Sequence, residues 1–229
     1  MPDIQSLTLP QIITAVGGLG TAAFGLVDST KALGGGVNHI GFEGIKKAVT
    51  PLTSEAPVNA LSRAKILNTL QANWFNGNDM ASQKAIAKSL IKLNLGTANA
   101  SALAAATGVD PAILTVIAAK ISSATPLDVT ESDTYARFDM IVTAILDEAY
   151  QRASHKYTSA TRFLAMVFAV LLAMAAGIML DGSFDKWLNQ DLGVSVLVGL
   201  LATPLAPVAK DLSSALAAAV NAMQRVNKK

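Results

Sequence analysis

No cysteine occurs in the 229 residues, which excludes a disulfide framework, a thiolate zinc site, an iron–sulfur cluster and a cysteine nucleophile. Histidine occurs twice, as His39 and His155, which leaves little for a histidine-rich metal site. Charge is scarce too: 15% of residues are charged, against about 25% in an average soluble domain. The balance of 18 basic and 16 acidic residues, net +2, is too small to suggest nucleic acid, which needs a concentrated basic face. No stretch alternates strictly between apolar and polar residues, so no half-buried strand is expected. What is there is aliphatic. A hydrophobic share of 52% and a mean hydropathy of +0.43 place the chain in a membrane.

The clearest apolar run is FLAMVFAVLLAMAAGIML, Phe163 to Leu180, with no charge in eighteen residues. As a helix it is about 27 Å long, close to the hydrocarbon thickness of a bilayer. After a polar link a second run follows, LGVSVLVGLLATPLAPV, Leu192 to Val208, at the lower edge of spanning length. Pro204 and Pro207 near its far end are expected to bend or stop the helix. Together the two runs read as a transmembrane hairpin. Beyond it, Leu212, Leu216, Val220 and Met223 recur at helical spacing, with Arg225, Lys228 and Lys229 at the end. That pattern suits an amphipathic helix on the membrane surface.

The N-terminal run LTLPQIITAVGGLGTAAFGLV, Leu7 to Val27, is uncharged but holds five glycines or prolines. Soluble helices rarely tolerate this, whereas neighbouring helices re-satisfy the backbone in lipid. Gly17, Thr21 and Gly25 recur every four residues, as do Gly18 and Ala22, and such stripes let helix backbones approach closely. These five residues are the candidate helix-packing set. A re-entrant or interfacial helix is the alternative for this segment.

Charge placement gives an orientation. The hairpin loop carries Asp181, Asp185, Lys186 and Asp191, whereas seventeen of the eighteen basic residues lie between Lys31 and Arg162 or in the tail. By the positive-inside rule the middle region and C-terminus face the cytoplasm, and the N-terminus faces out. Arg152, Lys156 and Arg162 crowd the start of the second span. With Trp187 in the outer loop and Arg225, Lys228 and Lys229, they form the candidate membrane-surface set.

The middle of the chain reads as helices. LGGGV, Leu33 to Val37, is a flexible joint, and Gly41 to Val49 is a short interfacial helix inside a glycine- and proline-rich linker, 33–57. Helical spacing runs from Val58 to Trp74 and from Met80 to Leu93, where Lys84, Lys88 and Lys92 stack on one face. Gly108 closes an alanine-rich helix. Asp110-Pro111 opens the next, with Leu114, Ile117 and Ile121 expected inward. From Ser132 nothing breaks the pattern until Leu180, so one long helix is expected to run from this domain into the second span. The aromatic pair Trp74-Phe75 is either a core anchor or the knob that binds a partner.

Little chemistry is visible. Gly18-Leu19-Gly20-Thr21-Ala22-Ala23 matches a dinucleotide fingerprint, but no alternation of strands and helices follows it. His39 and Glu43, four apart, make half a metal site at best. Adjacent Asp147 and Glu148 point in different directions on a helix and form no dyad. No ionisable residue lies within the apolar spans, which argues against active transport.

The segment TRFLAMVFAVLLAMAAGIMLDG, a short loop and VGLLATPLAPVAKDLSSALAAAV resemble the terminal hairpin of uncharacterised bacterial multi-pass membrane proteins. Ala206-Pro207-Val208-Ala209-Lys210-Asp211-Leu212 keeps the proline, acid and leucine of their ending but lacks its aromatics. The resemblance covers about the last 70 residues and implies a bacterial inner or thylakoid-type membrane, with no catalytic residue.

The expected architecture is therefore all-α, an integral membrane protein with about three transmembrane helices and a helical cytoplasmic domain. Its parts are an N-terminal helix 1–32, the linker 33–57, the helical domain 58–160, the hairpin 161–208 and the tail helix 209–229. The expected role is a non-enzymatic anchor or scaffold without cofactor or metal. It acts in the lipid bilayer as a homo-oligomer or as a subunit of a larger complex. A homo-oligomeric pore lined by the first span is the alternative.

Overall fold

The computed structural model describes residues 9–32, 34–56, 58, 60–181, 184, 187–188 and 191–208. Helices α1 (Leu9–Ala32), α2 (Asn38–Val49), α3 (Arg63–Phe75), α4 (Met80–Leu93), α5 (Ala100–Thr107), α6 (Pro111–Ser122) and α7 (Val129–Asp181) follow in order, and α8 spans Leu192–Val208. Among the described residues there is no strand, only an isolated bridge between Val58 and Leu61. The fold is all-helical. Contacts divide it into two compact units, 38–157 and the combination of 1–37 with 158–229.

Unit 38–157 begins earlier than the sequence suggests. Helix α2 lies within the expected linker, yet Phe42, Ile45 and Val49 are buried in the main core. Their spacing of three and four gives α2 one apolar face, and burial of that face outweighs the flanking glycines and prolines. Gly41 admits the ring of Trp74, since a Cβ there would stand 2.5 Å from Cζ2. The remaining helix starts follow local chemistry. Asp79 accepts from Ser82 N at 2.9 Å, and these hydrogen bonds hold its carboxyl below the ordinary value. Asp110 caps Ala112 and Ile113, while Asp128 and Glu131 form a reciprocal box, each accepting a backbone N–H at 2.8 Å. Gly108, at φ 68, ends α5 in the left-handed conformation.

The core of this unit gathers Ile66, Leu70, Ala87, Ile91, Leu114 and Ile117 against Phe138, Val142, Leu146 and Tyr150 of α7. Ile121, expected inward, is 46% exposed because it falls in the last turn of α6, past the core-facing pair Leu114 and Ile117. A buried asparagine joins two loops: Asn94 Oδ1 accepts from Ser54 N and its Nδ2 donates to Leu61 O, both at 2.9 Å.

Helix α7, 53 residues long, contains the whole of the unbroken helix Ser132 to Leu180 that the pattern predicts. Its residues from Thr158 onward pack in the other unit with α1 and α8. There the core is small: Ala23, Ala169 and Ala202, bordered by Val16, Leu19, Phe168 and Leu172. By length and composition, Gln11–Ala32 and the apolar part of Val129–Met179 are long enough to cross a membrane, and Leu192–Val208 is shorter. Pro204 does not stop α8, whose described part ends at Val208, one residue past Pro207. The expected tail helix 209–229 lies outside the described residues.

Candidate functional site

The three apolar helices meet through residues too small to hold them apart. On α7, Ala165, Ala169 and Ala173 are buried at intervals of four, and Gly177 continues the line. On α8, Ser195, Gly199, Ala202 and Ala206 are buried at intervals of three and four. A Cβ at Gly199 would collide with the Val170 backbone, and one at Gly20 with the carbonyl of Ala202. These are close backbone approaches of the kind that membrane helices use in place of the hydrophobic effect.

The seam of α1 is not the one expected. Of the candidate packing residues only Gly17 is buried; Gly18, Thr21, Ala22 and Gly25 are exposed, and a Cβ at Gly18 or Gly25 would meet nothing within 4 Å. The buried line is instead Gly17, Gly20, Ala23 and Val27, spaced by three and four. In a run where most residues are small, spacing alone supports several stripes, and the partner helix selects one. The stripe on α7 was legible as Ala165, Ala169, Ala173 and Gly177. Its large neighbours obscure it in a plain hydropathy reading.

The exposed line of α1 has its own character. Between Ile12 and Leu26 the outward positions at helical spacing are Ala15, Gly18, Ala22 and Gly25. Elsewhere in this unit many outward residues are large, with Phe163 68% and Leu171 53% exposed on α7 and Val194 57% and Leu197 61% on α8, although Ala175, Ala176 and Gly193 are exposed as well.

Trp187, expected at the membrane surface, is 1% exposed. Its Nε1 donates to Ser195 Oγ at 3.0 Å and would stand 2.6 Å from a Cβ at Gly177. A glycine and a serine hydroxyl on facing helices supply the space and the acceptor that draw the indole into the hairpin. Arg152, Lys156 and Arg162 are exposed, Arg152 in an ion pair with Glu148. Arg225, Lys228 and Lys229 lie outside the described residues.

Trp74 and Phe75 serve the core of unit 38–157. Trp74 Nε1 donates to Asn38 O at 2.9 Å, with its ring 6.4 Å from Tyr150 and 6.0 Å from Tyr157. Phe75 lies edge-on to His39 at 4.8 Å and to Phe42 at 6.4 Å. The lysine row on α4 meets acids on α7: Lys84–Asp147 at 2.5 Å, Lys88–Asp139 at 3.0 Å and Lys92–Asp139 at 2.9 Å. Burial alone raises the Asp139 carboxyl, but hydrogen bonds from Lys92 and Lys88 outweigh it and hold the group below the usual carboxylate range.

The glycine fingerprint lies in the middle of unbroken α1, without the strand-to-helix turn that exposes backbone N–H groups to a pyrophosphate. Glu43 pairs with Lys46 at 3.3 Å, and no group of three potential metal-ligating side chains occurs among the described residues. Comparison with known proteins adds no relative. No family model, curated protein or solved structure matches this chain.

Proposed function

We propose that the chain is a non-enzymatic membrane anchor or scaffold subunit. In this reading α1, the apolar part of α7 and α8 cross a bacterial inner or thylakoid-type membrane. The 38–157 unit stands on the cytoplasmic side and recruits the rest of an assembly. The observation that carries the reading is the contrast between the outward faces of the apolar helices. Lipid chains fill space around Phe163, Leu171 and Leu197, whereas the line Ala15, Gly18, Ala22 and Gly25 presents bare backbone suited to a second helix. The occupant of that line is α1 of another copy.

Native mass spectrometry of the protein extracted from its membrane in mild detergent tests this. The expected result is an assembly of several copies, reduced to single chains by Gly18→Leu with Gly25→Leu. Gly20→Leu differs, because its side chain strikes Ala202 and disturbs the chain's own packing. A wild-type protein that is monomeric at all concentrations overturns the reading. The pore alternative draws on the same small-residue line, which carries the hydroxyl of Thr21 beside it. Single-channel conductance in planar bilayers, abolished by the Gly18 and Gly25 substitutions, would select it over the anchor.

A further inference from the structure

Helices α5 and α6 pack on each other and bury Leu103, Ala104, Leu114 and Ile117 in the core of unit 38–157. Their other side faces outward and is bare of charge. Nine residues of the two helices are exposed; seven are apolar, and only Ser101 and Ser122 are polar. Lys120, the one charged residue within either helix, is turned to the buried Glu131 at 2.6 Å. Outward charge is present elsewhere on the unit: Lys47 on α2, Lys65 on α3 and Asp133 on α7 are exposed, while α4 exposes Ser82 and Ser89. Apolar outward surface of this kind marks a site of interaction.

The pattern on α6 is self-complementary. Its outward line is Ala112, Val116 and Ala119, spaced by four and three, the spacing at which two helices meet along a seam. The line reads alanine, valine, alanine from either end. A twofold axis beside Val116 therefore sets Val116 near Val116 and Ala112 near Ala119, with the two copies of α6 antiparallel. The same axis carries Asp110, the exposed N-cap of α6, to the last turn of α6 in the other copy, where Lys120 stands. Both capping bonds of Asp110 fall on Oδ1, and Glu131 takes one of the three ammonium protons of Lys120, so each group has capacity for the other. With the helices parallel, Asp110 would meet Asp110 instead.

We infer that the outward face of α5 and α6 is a self-association surface, on which a second copy of this chain docks with its own α6 antiparallel. The surface rests on the scaffold reading for its supply of copies: the α1 line gathers them, and this face joins their 38–157 units. Copies already held together meet at high effective concentration, so a contact of two short helices is sufficient.

The test uses the full chain in its native membrane. The chain has no cysteine, so Val116→Cys places a single thiol beside the axis. Mild oxidation should then yield covalent dimers, whereas Asn68→Cys, exposed on α3, should stay single. Asp110→Asn keeps the cap and removes the charge that meets Lys120. Added to Val116→Cys, it should lower the dimer yield by roughly two- to fivefold. Equal yields from Val116→Cys and Asn68→Cys would report random collision and overturn the face. So would a Val116→Cys thiol that stays single and reacts freely with a maleimide. A thiol that stays single yet is shielded from the reagent would place a different protein on the face and overturn the second copy. Native mass spectrometry of the same proteins separates the two failures: several copies without the Val116→Cys link refute only this face, whereas a monomeric wild type refutes the scaffold reading with it.

Discussion

Tyr150 is a residue whose ring and hydroxyl have opposite needs. It is fully buried, its ring packs near Trp74, and its hydroxyl meets no hydrogen-bond partner among the described residues. Burial pushes the phenol up to about 12. A buried hydroxyl without a partner carries its full desolvation cost, so Tyr150→Phe should stabilise unit 38–157 by about 1 kcal/mol. The urea midpoint, followed by tryptophan fluorescence in detergent, measures it. A loss of similar size would show that an internal water holds the hydroxyl, and Phe would then be the worse residue. The same logic explains why Trp187 was misplaced by sequence reasoning. A tryptophan in a polar loop between apolar runs fits a surface anchor, and only the facing Gly177 and Ser195 reveal the slot that takes it.

At the scale of elements, helix identity and caps were legible. Asp79, Asp110-Pro111 and Gly108 mark boundaries that the structure keeps, and α4 begins and ends where its pattern says. Partner choice was not legible. Lys84, Lys88 and Lys92 share a face by spacing alone, but Asp139 and Asp147 lie about fifty residues or more away in sequence. Which line of α1 packs within the chain was illegible for the same reason, because a helix rich in small residues offers several equal faces. The α4–α7 seam has a pH signature with two limbs. Asp139 is held below the ordinary carboxylate value, so its contribution is complete above its unfolded pKa of about 3.9 and is lost as pH falls through the folded value. For Lys92, burial alone lowers the value, but the hydrogen bond to Asp139, together with the charges of Tyr135 and Asp139 and a hydrogen bond to Tyr135, outweighs it and raises the group. Its contribution is complete below about 10.4 and is lost as pH rises through the folded value. The urea midpoint of the unit should therefore be flat through neutrality and fall at both ends. Asp139→Asn should lower the plateau and flatten the acid limb. An acid limb unchanged by that substitution would place its origin in other carboxylates.

For the whole molecule, the absence of cysteine becomes an experimental advantage, because any introduced thiol is the only one present. The proposed topology, three spans with the 38–157 unit inside, would put the turn between α7 and α8 on the opposite side of the membrane from that unit. Lys47 and Phe184 are both exposed, so Lys47→Cys and Phe184→Cys report the two sides without disturbing packing. In right-side-out vesicles a membrane-impermeant maleimide should label Phe184→Cys alone. In inverted vesicles it should label Lys47→Cys alone. Labelling of both thiols from one side would mean that α7 does not cross, and its apolar half would then be buried against a protein. The charge argument makes a sharper claim than the hydropathy one. Hydropathy predicts only that the two thiols differ, whereas the basic residues before Phe163 predict which of them faces in. Reversal of the pattern would leave the spans intact and refute the orientation, so the two parts of the topology are tested separately by one pair of substitutions.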